Sequence, residues 1–237
     1  MVYIDNAAGA ISLHMQTTKS QILVHIKRQG GATVDQLARV IGLAAMTVRQ
    51  HLTVLQRDGL VTSQEVRRSS GRPHFLYLLA EKGEEEFFPK RYDRLANLML
   101  EEVAALNGEE LLGLSPQEKK RLLLRKVVER VASEHGATMK GRDLPERVAE
   151  VTEILVQEGG FAEWRKSESG FEIIDYNCVY RKVAESHDEV CDWHVSLLAH
   201  LLGEEVRCEQ NMHRGDGHCA FLVDELAGAA SAVKLQS

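Results

Sequence analysis

Three stretches between residues 17 and 59 carry apolar side chains at helical spacing, and each ends at a glycine. Few compact arrangements satisfy that pattern. Thr18 stands where it can cap a first helix running to about Gln29, with Ile22, Leu23 and Ile26 on the apolar face. Gly30-Gly31 then stops it, because glycine tolerates the left-handed backbone of a helix end. Thr33 and Gln36 have the spacing of a capping box. Val34, Leu37, Ala38 and Ile41 follow at i, i+3, i+4, i+7, which predicts a second buried helical face. Gly42-Leu43 supplies a short turn into a third helix over Ala45 to Arg57, which buries Val48, Leu52 and Leu55 and ends at Asp58-Gly59.

Burying those three residues turns Met46, Gln50 and Thr53 outward, with Thr47 and Arg49 beside them. Arginine can bond guanine through two donors, glutamine can do the same with adenine, and threonine reaches a base or a phosphate. Leu60-Val61-Thr62 and Phe75-Leu76-Tyr77-Leu78 read as two short strands. The loop between them holds Arg67, Arg68 and Arg72 in a turn-rich setting. Taken alone, such a loop is as well explained as a solvated charged hairpin; after a helix-turn-helix it reads as a wing that reaches phosphates or the minor groove. This segment of about 65 residues resembles the ArsR/DeoR-type winged-helix regulators, a resemblance strengthened by Gly71-Arg72-Pro73 and Tyr77. It implies double-stranded DNA as a partner.

Charge supports a division of labour. The chain has 237 residues and a formal charge of −6, but residues 1–80 hold nine basic and four acidic side chains, a surplus of +5. The remainder carries −11. A basic head on an acidic body fits a nucleic-acid-binding module joined to a regulatory one. With 44% hydrophobic and 27% charged residues, the composition excludes a disordered tail, a collagen-like repeat and a disulfide mini-scaffold. No apolar run reaches the length of a membrane-spanning helix, so no membrane partner is expected. Residues 1–6 lack a basic cap before an apolar stretch, and a cytoplasmic location is expected, with the four cysteines reduced.

The middle of the chain, residues 84–106 and 116–135, is rich in helix formers, broken at Asn107-Gly108 and Ser115-Pro116. Leu95, Leu98, Met99, Glu102 and Leu106 share one helix face. That face either packs within the protomer or forms a homodimer interface; two-fold operators call for two-fold proteins.

From about residue 141 the pattern predicts a helix over 145–158, strands over 161–166 and 170–176, a helix over 188–202, and strands near 204–209 and 218–224. This order gives a small antiparallel sheet with helices on one face. The whole chain is therefore of α+β class, divided as 1–80 (winged helix-turn-helix), 81–140 (helical dimerisation region) and 141–237 (cysteine-containing domain). No Gly-rich phosphate loop, nucleophile elbow or zinc-protease helix signature is present, so no enzyme is expected.

All four cysteines, Cys178, Cys191, Cys208 and Cys219, fall in one 42-residue stretch with C-x12-C-x16-C-x10-C spacing. Cys178 follows a predicted strand. Cys191 lies in the first turn of a predicted helix, where the dipole favours a thiolate. Cys208 ends a strand, and Cys219 follows the turn Gly215-Asp216-Gly217-His218. Thiolates are the usual ligands of iron–sulfur clusters and of closed zinc sites, although buried thiols are also common as small apolar side chains. The absence of close C-x2-C pairs speaks against a zinc ribbon. His194, three residues after Cys191, is a lesser ligand candidate.

The winged helix with its Gly-Arg-Pro wing, the helical middle, and Cys178 and Cys191 twelve residues apart together resemble the SufR group of repressors, which control genes for iron–sulfur cluster assembly. That resemblance implies a homodimer with a 4Fe-4S cluster in each subunit, binding an inverted-repeat operator when the cluster is present and releasing it on cluster loss. Cys178, Cys191, Cys208 and Cys219 would be the ligands. Many relatives of that group have a cysteine close before the Gly-Asp turn; here Asn211 stands there, and Cys208 lies three positions earlier. The alternative is a zinc- or thiol-redox-responsive regulator with the same head.

Overall fold

The computed structural model describes residues 17–66, 74–139 and 142–225. They form two units, one ending at Pro89 and the other beginning at Lys90, each with its own hydrophobic core.

In the first unit, α1 (Thr18–Gln29), α2 (Val34–Ile41) and α3 (Ala45–Arg57) pack through Ile22, Leu23, Ile26, Leu37, Val48, Leu52 and Leu55. The cap of α1 is Thr17, one residue before the expected Thr18; its hydroxyl accepts from the Ser20 N–H at 3.1 Å. The Thr33/Gln36 capping box is present on α2. β1 (Val61–Val66) and β2 (His74–Leu79) pair antiparallel, and Ala32 bridges to Tyr77 as a third edge. Both strands run longer than the sequence pattern suggests.

A short helix, α4 (Glu81–Phe87), belongs to this unit, because Gly83 sits against the Leu60 carbonyl so closely that a Cβ would meet the oxygen at 2.2 Å. Lys27, buried on α1, pairs with Glu84 on α4 and lies 5.1 Å over the Phe88 ring. The head thus extends to Pro89 and not to residue 80.

The second unit holds α5 (Tyr92–Ala105), a 3-10 turn (Gly108–Leu111), α6 (Pro116–Met139) and α7 (Leu144–Gln157), then β3 (Ala162–Lys166) and β4 (Gly170–Asp175). After them come α8 (Arg181–Ala184), α9 (Glu189–Leu202), β5 (Val206–Gln210) and β6 (Cys219–Asp224). The strands form one antiparallel sheet in the order β3-β4-β6-β5. Its core joins Ile173, Phe221 and Val223 of the sheet to Val127, Val148, Trp193 and Leu198 of the helices.

The expected separate helical middle therefore divides. Its first residues join the head, and α5 and α6 join the C-terminal core. Leu95, Leu98 and Glu102 are buried inside the protomer, which is the packing alternative for that face; the outward side of α5 instead exposes Leu100 and Val103. Among the described residues, no helix is long and apolar enough to cross a membrane.

Gly170 marks where the sheet is tightest. A Cβ there would lie 2.2 Å from the Val223 carbonyl oxygen and 2.7 Å from the Glu225 nitrogen, at φ +156°. Gly203 also has positive φ but open space around it. Gly170→Ala is expected to destabilise the second unit by about 3 kcal/mol or more, against about 1–2 kcal/mol for Gly203→Ala, in chemical denaturation. Equal losses would contradict the packing described.

Candidate functional site

Two sites follow from the two units. In the head, α3 presents one face to the core and the other to solvent. Met46, Arg49, Gln50 and Thr53 are exposed and Thr47 is half-buried. Met46 is 63% exposed. Thr53 donates its hydroxyl hydrogen to the Arg49 carbonyl at 2.9 Å, leaving its oxygen free only to accept. Of these residues, Arg49 and Gln50 are the two with several donors. Arg67, Arg68 and Arg72 lie outside the described residues. Phe75, 53% exposed on β2, is a wing residue that the sequence pattern placed in a strand without marking it as surface.

The second site arises from strand direction. In an antiparallel sheet, the C-terminal ends of β4 and β5 lie at the same end as the start of β6. The register pairs Asp175 with Cys219 and Gln210 with Ala220. Cys178 follows β4 by three residues, and Cys208 stands two residues before the end of β5, where the register shifts between Cys208 and Gln210. Such a bulge re-aims the chain at a strand end. Because α9 leads by a short turn into β5, its first residues return to that same end, carrying Cys191. All four cysteines line one open cavity.

Buried polar groups hold the frame. Asp175 accepts from the Phe161 and Asn177 N–H groups, both at 2.9 Å. Asn177, fully buried, donates to the Gly159 carbonyl and accepts from Lys90 Nζ at 2.7 Å; Lys90 also reaches the Cys178 carbonyl at 3.2 Å. On the other side, Asn211 takes the His213 N–H at 2.8 Å, and its own N–H bonds Asp216. The Cys191 thiol faces its Oδ1 at 3.9 Å, and the Cys208 thiol donates to the Gln210 carbonyl at 3.1 Å. Lys90 and Asn177 carried no sequence signal as supports, since Lys90 is remote in the chain and neither belongs to a recognisable motif.

Burial pushes all four thiols up: Cys178 to about 11, with Cys191, Cys208 and Cys219 moved in the same direction. Backbone hydrogen bonding from Tyr180 to Cys178 and from Met212 to Cys219 pulls the opposite way but loses to desolvation. At Cys191, where the position in a helix first turn favours a thiolate, burial acts in the opposite direction. Desolvation is the largest influence on this thiol and raises it, against the lowering effect of the Asn211 side chain. Among the described residues, no three His, Cys, Asp or Glu side chains are drawn together tightly enough to hold a single metal ion. No disulfide links the cysteines. His194 lines the same cavity, with its ring 5.3 Å from Phe221 and 6.3 Å from Trp193, and burial lowers it to about 4.

Two predictions follow from this geometry. Arg49→Ala and Gln50→Ala should each weaken binding to a specific DNA duplex by about 1–3 kcal/mol in a fluorescence-anisotropy titration, and relax the preference at one base pair. A loss shared equally by all sequences would instead make them phosphate contacts.

His194 is neutral in the folded chain down to about pH 4 but protonates near 6.5 when unfolded. The unfolded state thus binds more protons in that window, and stability falls as pH drops through it, by about 3 kcal/mol at most. Denaturation of His194→Gln between pH 7 and 4 should show a shallower slope than the parent; an identical slope would contradict the assignment.

Residues 15–62 match the family model described as winged helix-turn-helix DNA-binding. That description is of a DNA-binding module and not of an enzyme. No curated protein matches the chain. Among solved structures, a probable transcriptional regulator from Pseudomonas aeruginosa is similar at 25% identity, over 52% of this chain and 83% of that one, with a TM-score of 0.28. A transcriptional regulator homologue from Pyrococcus horikoshii OT3 gives 23% identity over 32% of this chain and 81% of its own, with a TM-score of 0.27. Bacillus subtilis PadR, solved in complex with operator DNA, gives 17% identity over 77% and 98%, with a TM-score of 0.27. Over residues 15–62 the chain is a winged helix-turn-helix, matching a module described as DNA-binding.

Proposed function

We propose that this chain is a homodimeric transcriptional repressor whose operator binding is gated by a 4Fe-4S cluster held by Cys178, Cys191, Cys208 and Cys219, and that it controls genes for iron–sulfur cluster assembly. The observation that carries the reading is the facing of four sequence-distant thiols onto one cavity. The donor set fits: four sulfurs and backbone hydrogen bonding at two of them are the surroundings such clusters use. A tetrahedral zinc ion, with bonds of about 2.3 Å to sulfur, needs its ligands close together.

When bound, a cluster supplies a crosslink that responds to iron supply and oxidants. The protein's own residues do the rest. Lys90 and Asn177 fix the Cys178 loop, the Asp216–Asn211 pair shapes the turn beside Cys208 and Cys219, and α9 carries Cys191. Because the metal-free thiols are protonated, loading must release their protons, and binding energy then becomes conformational energy in this unit. Tying three strand ends to the first turn of α9 gives the unit one shape when loaded and a looser one when empty. In a two-fold dimer on an inverted repeat, that difference decides whether both α3 helices reach their half-sites.

Anaerobic purification should give brown protein with about four iron and four sulfide per protomer. Cys178→Ser, Cys191→Ser, Cys208→Ser and Cys219→Ser should each lower that content, and cluster removal should weaken operator binding at least tenfold. Colourless protein carrying one zinc per protomer would contradict the proposal.

A further inference from the structure

A second, partly open cavity shares a wall with the thiol site within the C-terminal unit. Cys178, Cys219, Tyr180, His194 and Met212 line both spaces. Its other walls are chiefly apolar, including Leu98 of α5, Val131 of α6, Val151 and Ile154 of α7, and Leu197 and Leu201 of α9. A concave apolar space with a few polar groups is the usual form of a small-molecule site.

The polar groups narrow the class of occupant. Arg94 is bound to Glu158 at 2.7 Å and faces Glu134 at 3.6 Å, so its charge is answered within the protein. Asp175 is engaged by two backbone N–H groups. Trp193 differs. It lines the cavity, is 4% exposed, and its Nε1–H has no hydrogen-bond partner. The rings of Tyr180 and His194 lie tilted against it, with centroids at 5.4 and 6.3 Å, and its donor remains unmet. A buried indole N–H usually finds an acceptor, and leaving it unpaired is costly. A purely structural filler here would be served by phenylalanine.

We propose that this cavity binds a compact, uncharged, mostly apolar molecule carrying one acceptor oxygen, such as an aromatic ketone or aldehyde, which takes a hydrogen bond from Trp193 Nε1–H. The apolar wall holds the ring, and the paired state of Arg94 disfavours an anion. An occupant packs against the inner side of Cys178 and Cys219, and its binding needs nothing from whatever the thiols hold.

The test uses the full-length protein, labelled with nitrogen-15, and two probes of similar size. Acetophenone has the acceptor; ethylbenzene lacks it. Acetophenone should move the Trp193 indole N–H resonance saturably while leaving that of Trp164 in place. It should bind roughly five- to tenfold more tightly than ethylbenzene, the range of one hydrogen bond. Trp193→Phe should erase that preference. If the variant does not fold, the two-probe comparison on the parent protein decides. A Trp193 resonance unmoved at several millimolar acetophenone would overturn the proposal, as would equal affinity for the two probes.

Discussion

The antiparallel register of β4 against β6, with Asp175 opposite Cys219, is the constraint on which the C-terminal unit turns. It places the exit of β4 beside the entry of β6, and β5 ends at that same edge because it too runs antiparallel to β6. Three cysteines far apart in sequence then gather at one end of a sheet without any local motif. The buried Asp175 carboxylate secures the corner by holding the Phe161 and Asn177 N–H groups, so the chain turns there in one way only. α9 adds the fourth thiol because a helix that leads into β5 must begin at the far end of it.

That arrangement is open to a ligand but not closed around one. Desolvation favours the protonated thiols, and no three ligating side chains among the described residues are gathered around one point. Neutral sulfurs in a partly apolar setting hold the shape of the unit weakly, whereas thiolates on a common centre would hold it firmly. The physical basis for a switch lies in that contrast, since a coupling needs two states with different contacts. The head has no such latitude. Its apolar core is closed, the first two helices are capped by Thr17 and Thr33, and Gly83 admits α4 against Leu60 with no space to spare.

Much of the head was legible in the sequence because its signals are local. The α3 limits and the Thr33/Gln36 box follow directly from periodicity and cap chemistry. The first cap was misplaced by one residue because Thr17 and Thr18 are both competent. The C-terminal element order was also legible, from hydrophobic alternation and turns. What the sequence concealed is long-range. Nothing local says that Leu95 and Leu98 pack under α6 and α9 in the same protomer, or that Lys90 reaches the Cys178 loop. The burial that acts against a thiolate at Cys191 was hidden for a related reason: dipole position is visible in a sequence, while desolvation depends on what folds over the site. Asn211 was marked only as an absent cysteine, yet it organises the turn that brings Cys208 and Cys219 together.

X-ray absorption at the iron edge of the anaerobically isolated protein measures the central claim most directly, because it reports which atoms surround the metal. A shell dominated by sulfur with a second shell of short iron–iron vectors is predicted, and both should vanish together when the thiols are removed. A shell of nitrogen and oxygen without iron–iron scattering would contradict it.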